Sequence, residues 1–196
     1  MKTIAPEITL PELYALKEAE NMCQTGPHMD YLRRLAFKCE LAVEYGARAG
    51  GSTVALNYAA RTISVDFNVR ECDQPVWDAL KRLRGDAWTF VQADTREYAL
   101  PECDLLFIDS LHSYDQVSAE LRAHESVRKW IVLHDTEKYG RHGQERYKPN
   151  ATAGEGEHVK GILPAIEEFL EAHEEWTIER QVTNSNGLTT LRRRGS

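Results

Sequence analysis

Five short apolar runs in the sequence end on residues that can do chemistry. Residues 41–45 carry Glu44 and run into Gly46. Residues 62–66 end on Asp66, residues 88–93 lead to Asp94, and residues 104–108 lead to Asp109. Residues 129–133 lead to His134 and Asp135, and His112 follows Asp109 by three positions. Carboxylates and imidazoles gathered in this way can hold a divalent ion such as Mg²⁺ or Mn²⁺. They can equally pass protons as acid and base. His112 and His134 stay open between such roles and ordinary structural ones, a histidine at a helix start bonded to backbone being the alternative for His112. Asp109 and Asp135 read as functional.

The densest local signal is Glu44-Tyr45-Gly46-Ala47-Arg48-Ala49-Gly50-Gly51-Ser52-Thr53. It follows the first apolar run and precedes a helical pattern. Glycines there admit positive φ and let backbone approach a ligand closely. Asp66 stands 20 residues after Gly46, where a carboxylate can accept both hydroxyls of a ribose. The turn spaces its glycines G-x-x-x-G and so lacks the tight pyrophosphate cradle of G-x-G-x-x-G. Turn and acid together favour a nucleoside ligand.

The elements needed to position these residues are legible. Each apolar run has the length of a strand buried on both faces. Helical patterns lie between them at 52–60, 75–84, 114–124 and 159–172. Such alternation predicts a parallel α/β sheet with right-handed crossovers. Residues 176–182 and 188–191 flank Asn186-Gly187 and predict a terminal antiparallel hairpin. Ahead of the sheet, 10–22 and 29–39 read as helices joined at Gly26-Pro27. Residues 137–157 are polar and aperiodic, the pattern of a functional or mobile loop.

The 196 residues fit one domain, with 1–40 as a helical lid or oligomerisation segment and 41–196 as the sheet domain. Apolar residues at 42% and charged residues at 28% exclude disorder and coiled coil. A net charge of −7 argues against a nucleic-acid partner. The N-terminus has no apolar signal core and no stretch is long enough to span a membrane, so a cytoplasmic protein is expected. Cys23, Cys39, Cys72 and Cys103 form no C-x-x-C pair, which leaves reduced thiols as the plain reading. Asn150-Ala151-Thr152 matches a glycosylation acceptor by chance.

The segments VEYGARAGGST, ISVDFN, VQADTRE, CDLLFIDSLHSYDQVSAEL, WIVLHDTEKYG and NSNGLTTLRR, in that order, resemble class I S-adenosylmethionine-dependent methyltransferases. Within them the chain is similar to the small O-methyltransferase-like group that includes relatives of cephalosporin hydroxylase and macrolide sugar O-methyltransferases. The resemblance covers roughly residues 35–192. It implies a Rossmann-like, seven-stranded, mostly parallel sheet with helices on both faces, and S-adenosylmethionine as cofactor. It also implies that Glu44, Gly46, Ala47, Gly50, Ser52 and Thr53 form the floor under the methionine part. Asp66 would bind the ribose hydroxyls, Phe67 would lie beside the adenine, and Asp94 and Thr95 would face its ring. Asp109 would lie near the methionine amine or, with His134 and Asp135, hold a metal. His112, with Asp109 and His134, would serve catalysis, His112 as the base. Some relatives carry an acid where His134 stands, which leaves metal dependence open.

The implied reaction is direct in-line transfer of a methyl group to an oxygen of a small molecule. The acceptor pocket would be closed near His28, Met29 and Tyr31 and by the 137–157 loop with Tyr139, Arg141, His142, Arg146, Tyr147 and Lys148. Association between copies through the N-terminal helices stays open. So do two other functions: a non-catalytic S-adenosyl-ligand-binding protein of the same fold, and a metal-dependent hydrolase built on the Asp/His cluster.

Overall fold

A computed structural model describes residues 4–20, 25–69, 73–144 and 160–196. Seven strands form one sheet: β1 (Leu41–Tyr45), β2 (Arg61–Asp66), β3 (Trp88–Gln92), β4 (Cys103–Ile108), β5 (Val127–His134), β6 (Trp176–Val182) and β7 (Leu188–Arg193). Their order across the sheet is β3-β2-β1-β4-β5-β7-β6. The first five strands run parallel, and β7 lies antiparallel between β5 and β6. The chain begins the sheet in the middle at β1, winds out to β3, and resumes on the other side at β4. Ligands of open α/β sheets bind at such a reversal, beyond the carboxyl ends of the strands.

Six helices cover the sheet: α1 (Leu10–Ala19), α2 (Met29–Ala36), α3 (Gly51–Leu56), α4 (Gln74–Arg84), α5 (Tyr114–Leu121) and α6 (Leu163–Ala172). The period of two along each strand assigns alternate side chains to two cores. Ala42, Leu105, Phe107, Trp130 and Val132 face α1–α4. Leu41, Val43, Tyr45, Leu106, Ile108, Ile131 and Leu133 face α5 and α6. Helices therefore lie on both faces. Leu13, Met29, Leu32, Leu35 and Ala36 are buried in the first core, so residues 10–36 supply packing as well as cover. β6 is an outer strand and exposes Thr177, Glu179, Arg180 and Gln181, a charged edge that discourages pairing with other chains.

Several helices are shorter than their patterns. α2 stops at Ala36, and α5 passes into a 3₁₀ segment, Arg122–Ser126. α3 stops at Leu56, where the Asn57 side chain donates back to the Thr53 carbonyl and the chain turns to enter β2 beside β1. α6 begins at Leu163 because Gly161 is pressed against the backbone of Tyr139 and Gly140, and a Cβ there would sit 2.3 Å from the Gly140 oxygen. Cys39 and Cys103 are free and buried, and burial pushes both thiols up to about 12. Cys23, Cys72, Arg146, Tyr147, Lys148 and Asn150 lie outside the described residues. No helix among the described residues is long and apolar enough to cross a membrane.

Candidate active site

The turn after β1 is shaped by two glycines and one acid. Gly46 adopts φ 91°, and a Cβ on it would lie 2.3 Å from the Asp109 carbonyl oxygen. Only glycine permits that approach, which brings the turn against the end of β4. Gly50 adopts φ 78° at the N-cap of α3. Between them Arg48 is left-handed at φ 38°. Asp66 holds this shape: one carboxylate oxygen accepts from the amides of Ala47 at 2.8 Å and Arg48 at 3.1 Å, and the other from the Asn68 amide at 2.7 Å.

Glu44 is fully buried beneath the turn. It accepts from the hydroxyls of Ser52 at 2.5 Å, Thr53 at 2.7 Å and Ser64 at 2.7 Å. Burial pushes its carboxyl up to about 7 against those three hydrogen bonds. Glu44, Ser52 and Thr53 thus brace the turn from below and present none of these groups to its open side. Phe67 projects beside Asp66 with 74% of its surface exposed, an apolar platform at the mouth of the site.

On the loop after β3, Asp94 is paired with the Arg96 guanidinium. The Thr95 hydroxyl turns inward to Glu120. Glu120 also accepts from Ser110 at 2.6 Å and Gln116 at 2.8 Å, so one buried acid on α5 fastens the loops after β3 and β4. The sequence reading passed over this network. Its signal is the spacing of Gln116 and Glu120, beside Val117 and Leu121, on the inward side of α5.

Ile108 and Leu133 are partners in the β4–β5 register, which sets Asp109 next to His134 and Asp135. Asp135 is left-handed at φ 60°, a conformation that carries strain outside glycine and is found at functional sites. His112 Nε2 lies 3.1 Å from Asp109 and 2.9 Å from Asp135, and its Nδ1 lies 2.9 Å from Gln144 Oε1. Both nitrogens face acceptors, as an imidazolium requires. Burial would lower this histidine, but the two carboxylates outweigh it and raise it to about 10. Burial likewise opposes ionisation of Asp109 and Asp135, yet the two imidazoles hold both below the ordinary aspartate range. Tyr139 stacks on His112 with ring centroids 4.9 Å apart.

His134 Nδ1 stands 3.4 Å from Asp109 and 3.6 Å from Asp135. Neither of its ring nitrogens makes a hydrogen bond, and Asp135 Oδ1 also accepts none. Buried polar atoms of this kind are rarely left unsatisfied. Asp109, His134 and Asp135 together offer three ligand atoms within 4.8 Å of one another. The His28 ring packs edge-on against His134 with centroids 5.4 Å apart, and its Nε2 meets the Asn184 carbonyl at 3.1 Å. The N-terminal segment is thereby seated over the cluster. Met29 is buried in the core, and Tyr31 stacks under Arg180 on β6. Of the 137–157 loop, Arg141 pairs with Glu167, and His142 forms a β-bridge with Lys160.

The structure therefore gathers Gly46, Ala47, Asp66, Phe67, Asp109, His112, His134 and Asp135 at the carboxyl edge of the sheet. Glu44, Ser52, Thr53 and Thr95 turn inward, and Asp94 is engaged by Arg96.

Solved structures with the same fold include an O-methyltransferase from Bacillus cereus in complex with SAH. It has a TM-score of 0.63 and 16% identity, with 97% of this chain and 93% of that chain covered. The SAH-bound methyltransferase PaMTH1 from Podospora anserina gives 0.61 and 14%, covering 98% and 91%. The O-methyltransferase TomG from Streptomyces achromogenes, involved in tomaymycin synthesis and solved with SAM, gives 0.59 and 15%, covering 95% and 88%. No curated protein matches the chain by sequence. The family profile described as Rhamnosyl O-methyltransferase/CmcI matches residues 31–194, the whole sheet and most of α2, and the chain belongs to that family.

Proposed function

We propose that this protein transfers a methyl group from S-adenosylmethionine to an oxygen of a small molecule. One observation carries the reading: the glycine turn abuts the Asp/His cluster at Gly46 and Asp109. A nucleoside ligand on the turn would then present its reactive end to the only described cluster at this edge that joins acids and imidazoles.

The residues fit the cofactor. Phe67 offers a face for a purine ring, and Asp66 sits below it for the ribose hydroxyls. Ionised carboxylates have about four lone-pair sites, and three on Asp66 are taken by backbone amides. The ribose would use the remaining site or replace an amide. Glu44 acts through the shape of the turn. The acceptor would enter between the cluster and the segment carrying His28.

In the transfer, the acceptor oxygen forms a bond to the methyl carbon while the carbon–sulfur bond breaks and its electron pair stays on sulfur. The hydroxyl proton goes to a side chain of the cluster. The protein's main contribution is to hold oxygen and methyl in line. With His112 protonated, its Nε2–H can orient the acceptor oxygen but cannot take its proton. The atoms of His134 and Asp135 that make no hydrogen bond would suit a divalent ion, and one imidazole beside two carboxylates suits Mn²⁺ better than Mg²⁺. Such an ion would polarise the acceptor hydroxyl and offset the carboxylates that keep His112 protonated, leaving the imidazole able to act as base.

Calorimetric titration of S-adenosylhomocysteine tests the cofactor assignment, run with Mn²⁺, with Mg²⁺ and with EDTA. Micromolar binding by the wild type is expected. Asp66→Asn keeps an acceptor for the turn amides but loses a carboxylate oxygen for the ribose, so at least tenfold weaker binding is expected. Absence of binding by the wild type in all three conditions refutes the reading.

A further inference from the structure

We propose that His124, His173 and Glu175 form a second metal site, structural in role, that takes a borderline transition metal such as Zn²⁺. The residues come from two separate connections. His124 lies in the 3₁₀ segment leading into β5, while His173 and Glu175 lie in the turn from α6 to β6. Their ligand atoms lie within 4.8 Å of one another.

The gaps are the wrong size for hydrogen bonds and close to the size for an ion. His124 Nε2 stands 4.0 Å from Glu175 Oε1, and His173 Nδ1 stands 3.8 Å from the same oxygen. Both exceed the reach of a hydrogen bond. A tetrahedral ion with bonds of about 2.0–2.1 Å sets its ligands about 3.3 Å apart. Drawing His124 Nε2 and His173 Nδ1 toward Glu175 needs shifts of roughly half an ångström, and the two imidazoles, whose centroids lie 4.0 Å apart, must also swing apart to share one ion.

The chemistry of the set is also suited. His124 Nδ1 lies 3.0 Å from the Leu121 carbonyl, which can only accept. The ring proton therefore sits on Nδ1, and neutral His124 carries its lone pair on Nε2, toward Glu175. A metal-bound imidazole is commonly oriented in this way, by its other nitrogen bonding a backbone carbonyl. Phe169 packs against both rings, with centroids 5.2 Å from His124 and 4.7 Å from His173. Two imidazoles and one carboxylate favour Zn²⁺ over Mg²⁺, and the exposed side leaves a fourth position for water.

The site lies at the opposite end of the sheet from the Asp109 cluster. The eight residues of β5 separate the two by roughly 25 Å, at about 3.3 Å per residue. An ion here takes no part in methyl transfer. It would clamp the entry to β5 to the entry to β6, two strands separated in the sheet by β7.

The test uses the full chain, stripped with EDTA, desalted and titrated calorimetrically with ZnCl₂. His173→Gln, Glu175→Gln and an Asp109→Asn/Asp135→Asn variant run beside it. The wild type should bind one more equivalent than His173→Gln or Glu175→Gln, and the aspartate variant should keep that equivalent. Zinc should raise the Tm of the wild type and raise that of His173→Gln by less than half as much. S-adenosylhomocysteine affinity should be the same in wild type and His173→Gln, which shows the variant folded. Equal stoichiometry in wild type and His173→Gln overturns the proposal, as does the absence of zinc uptake by the wild type.

Discussion

Gly46 is the residue on which turn and cluster both depend. Its φ of 91° is costly for any residue with a Cβ, and that Cβ would meet a backbone carbonyl that has no rotamer to escape into. Gly46→Ala is expected to destabilise the fold by about 2 kcal/mol or more and to abolish S-adenosylhomocysteine binding, read by thermal denaturation and calorimetry. His112 gives a prediction in pH. Its folded value is raised to about 10 from the ordinary 6.5. The folded state thus holds a proton that the unfolded chain has released across this range. Its stabilisation is complete below about pH 6.5 and is lost as pH rises through about 10. Urea midpoints measured from pH 6 to pH 10 should fall with pH, and His112→Gln should flatten the slope. At this scale the sequence exposes what sits at strand ends. Gly46, Asp66, Asp109, His134 and Asp135 are legible because a run of apolar residues stops at each. The inward orientation of Glu44 and Thr95 is not legible, because it depends on hydroxyls delivered by α3 and β2 and on the Glu120 carboxylate delivered by α5. The meeting of His28 with His134 is set by packing between distant elements and leaves no local pattern.

The elements carry these residues with different degrees of rigidity. Glu120 shows how a helix can tie the loop that leads into it to another, after β3, that it does not adjoin in sequence. Replacing it with Ala leaves the donors of Thr95, Ser110 and Gln116 without their common acceptor in a buried setting. Glu120→Ala is expected to cost about 2–3 kcal/mol and to speed amide hydrogen exchange in residues 94–96 and 109–111 ahead of the sheet strands. Element types were readable from the short apolar runs of the strands and the longer period of the helices. Their ends were less so. The early stops of α2 and α3 and the late start of α6 follow from tertiary contacts, most plainly Gly161 against Tyr139 and Gly140. No propensity scale contains that contact.

For the whole molecule, alternation of strand and helix indicates a parallel sheet, but it does not order the strands. The family resemblance implies seven strands, mostly parallel, while the full order β3-β2-β1-β4-β5-β7-β6 has no signal in the sequence. The place of residues 1–40 was likewise only half visible. Their helical pattern was clear, but not that Leu13, Met29, Leu32 and Leu35 complete the core beneath α3. A chain lacking residues 1–40 would expose that apolar surface on α3 and the sheet. It is expected to be insoluble or to elute as aggregates in gel filtration, where a separable lid would leave a folded remainder.

The place of β7 has a consequence for how the protein is made. β5 pairs on one side with β4 and on the other only with β7, and β6 touches the sheet only through β7. Residues 188–193 are the last strand of this sheet to be synthesised. Until they emerge, β5 carries a bare row of amides and carbonyls, and β6 has no strand to join. The nascent chain therefore completes its sheet in a single late step, by inserting a strand rather than adding one at the rim. Throughout synthesis its most adhesive edge stays open, and keeping that edge apart from other chains is the task this topology sets for whatever chaperones attend it.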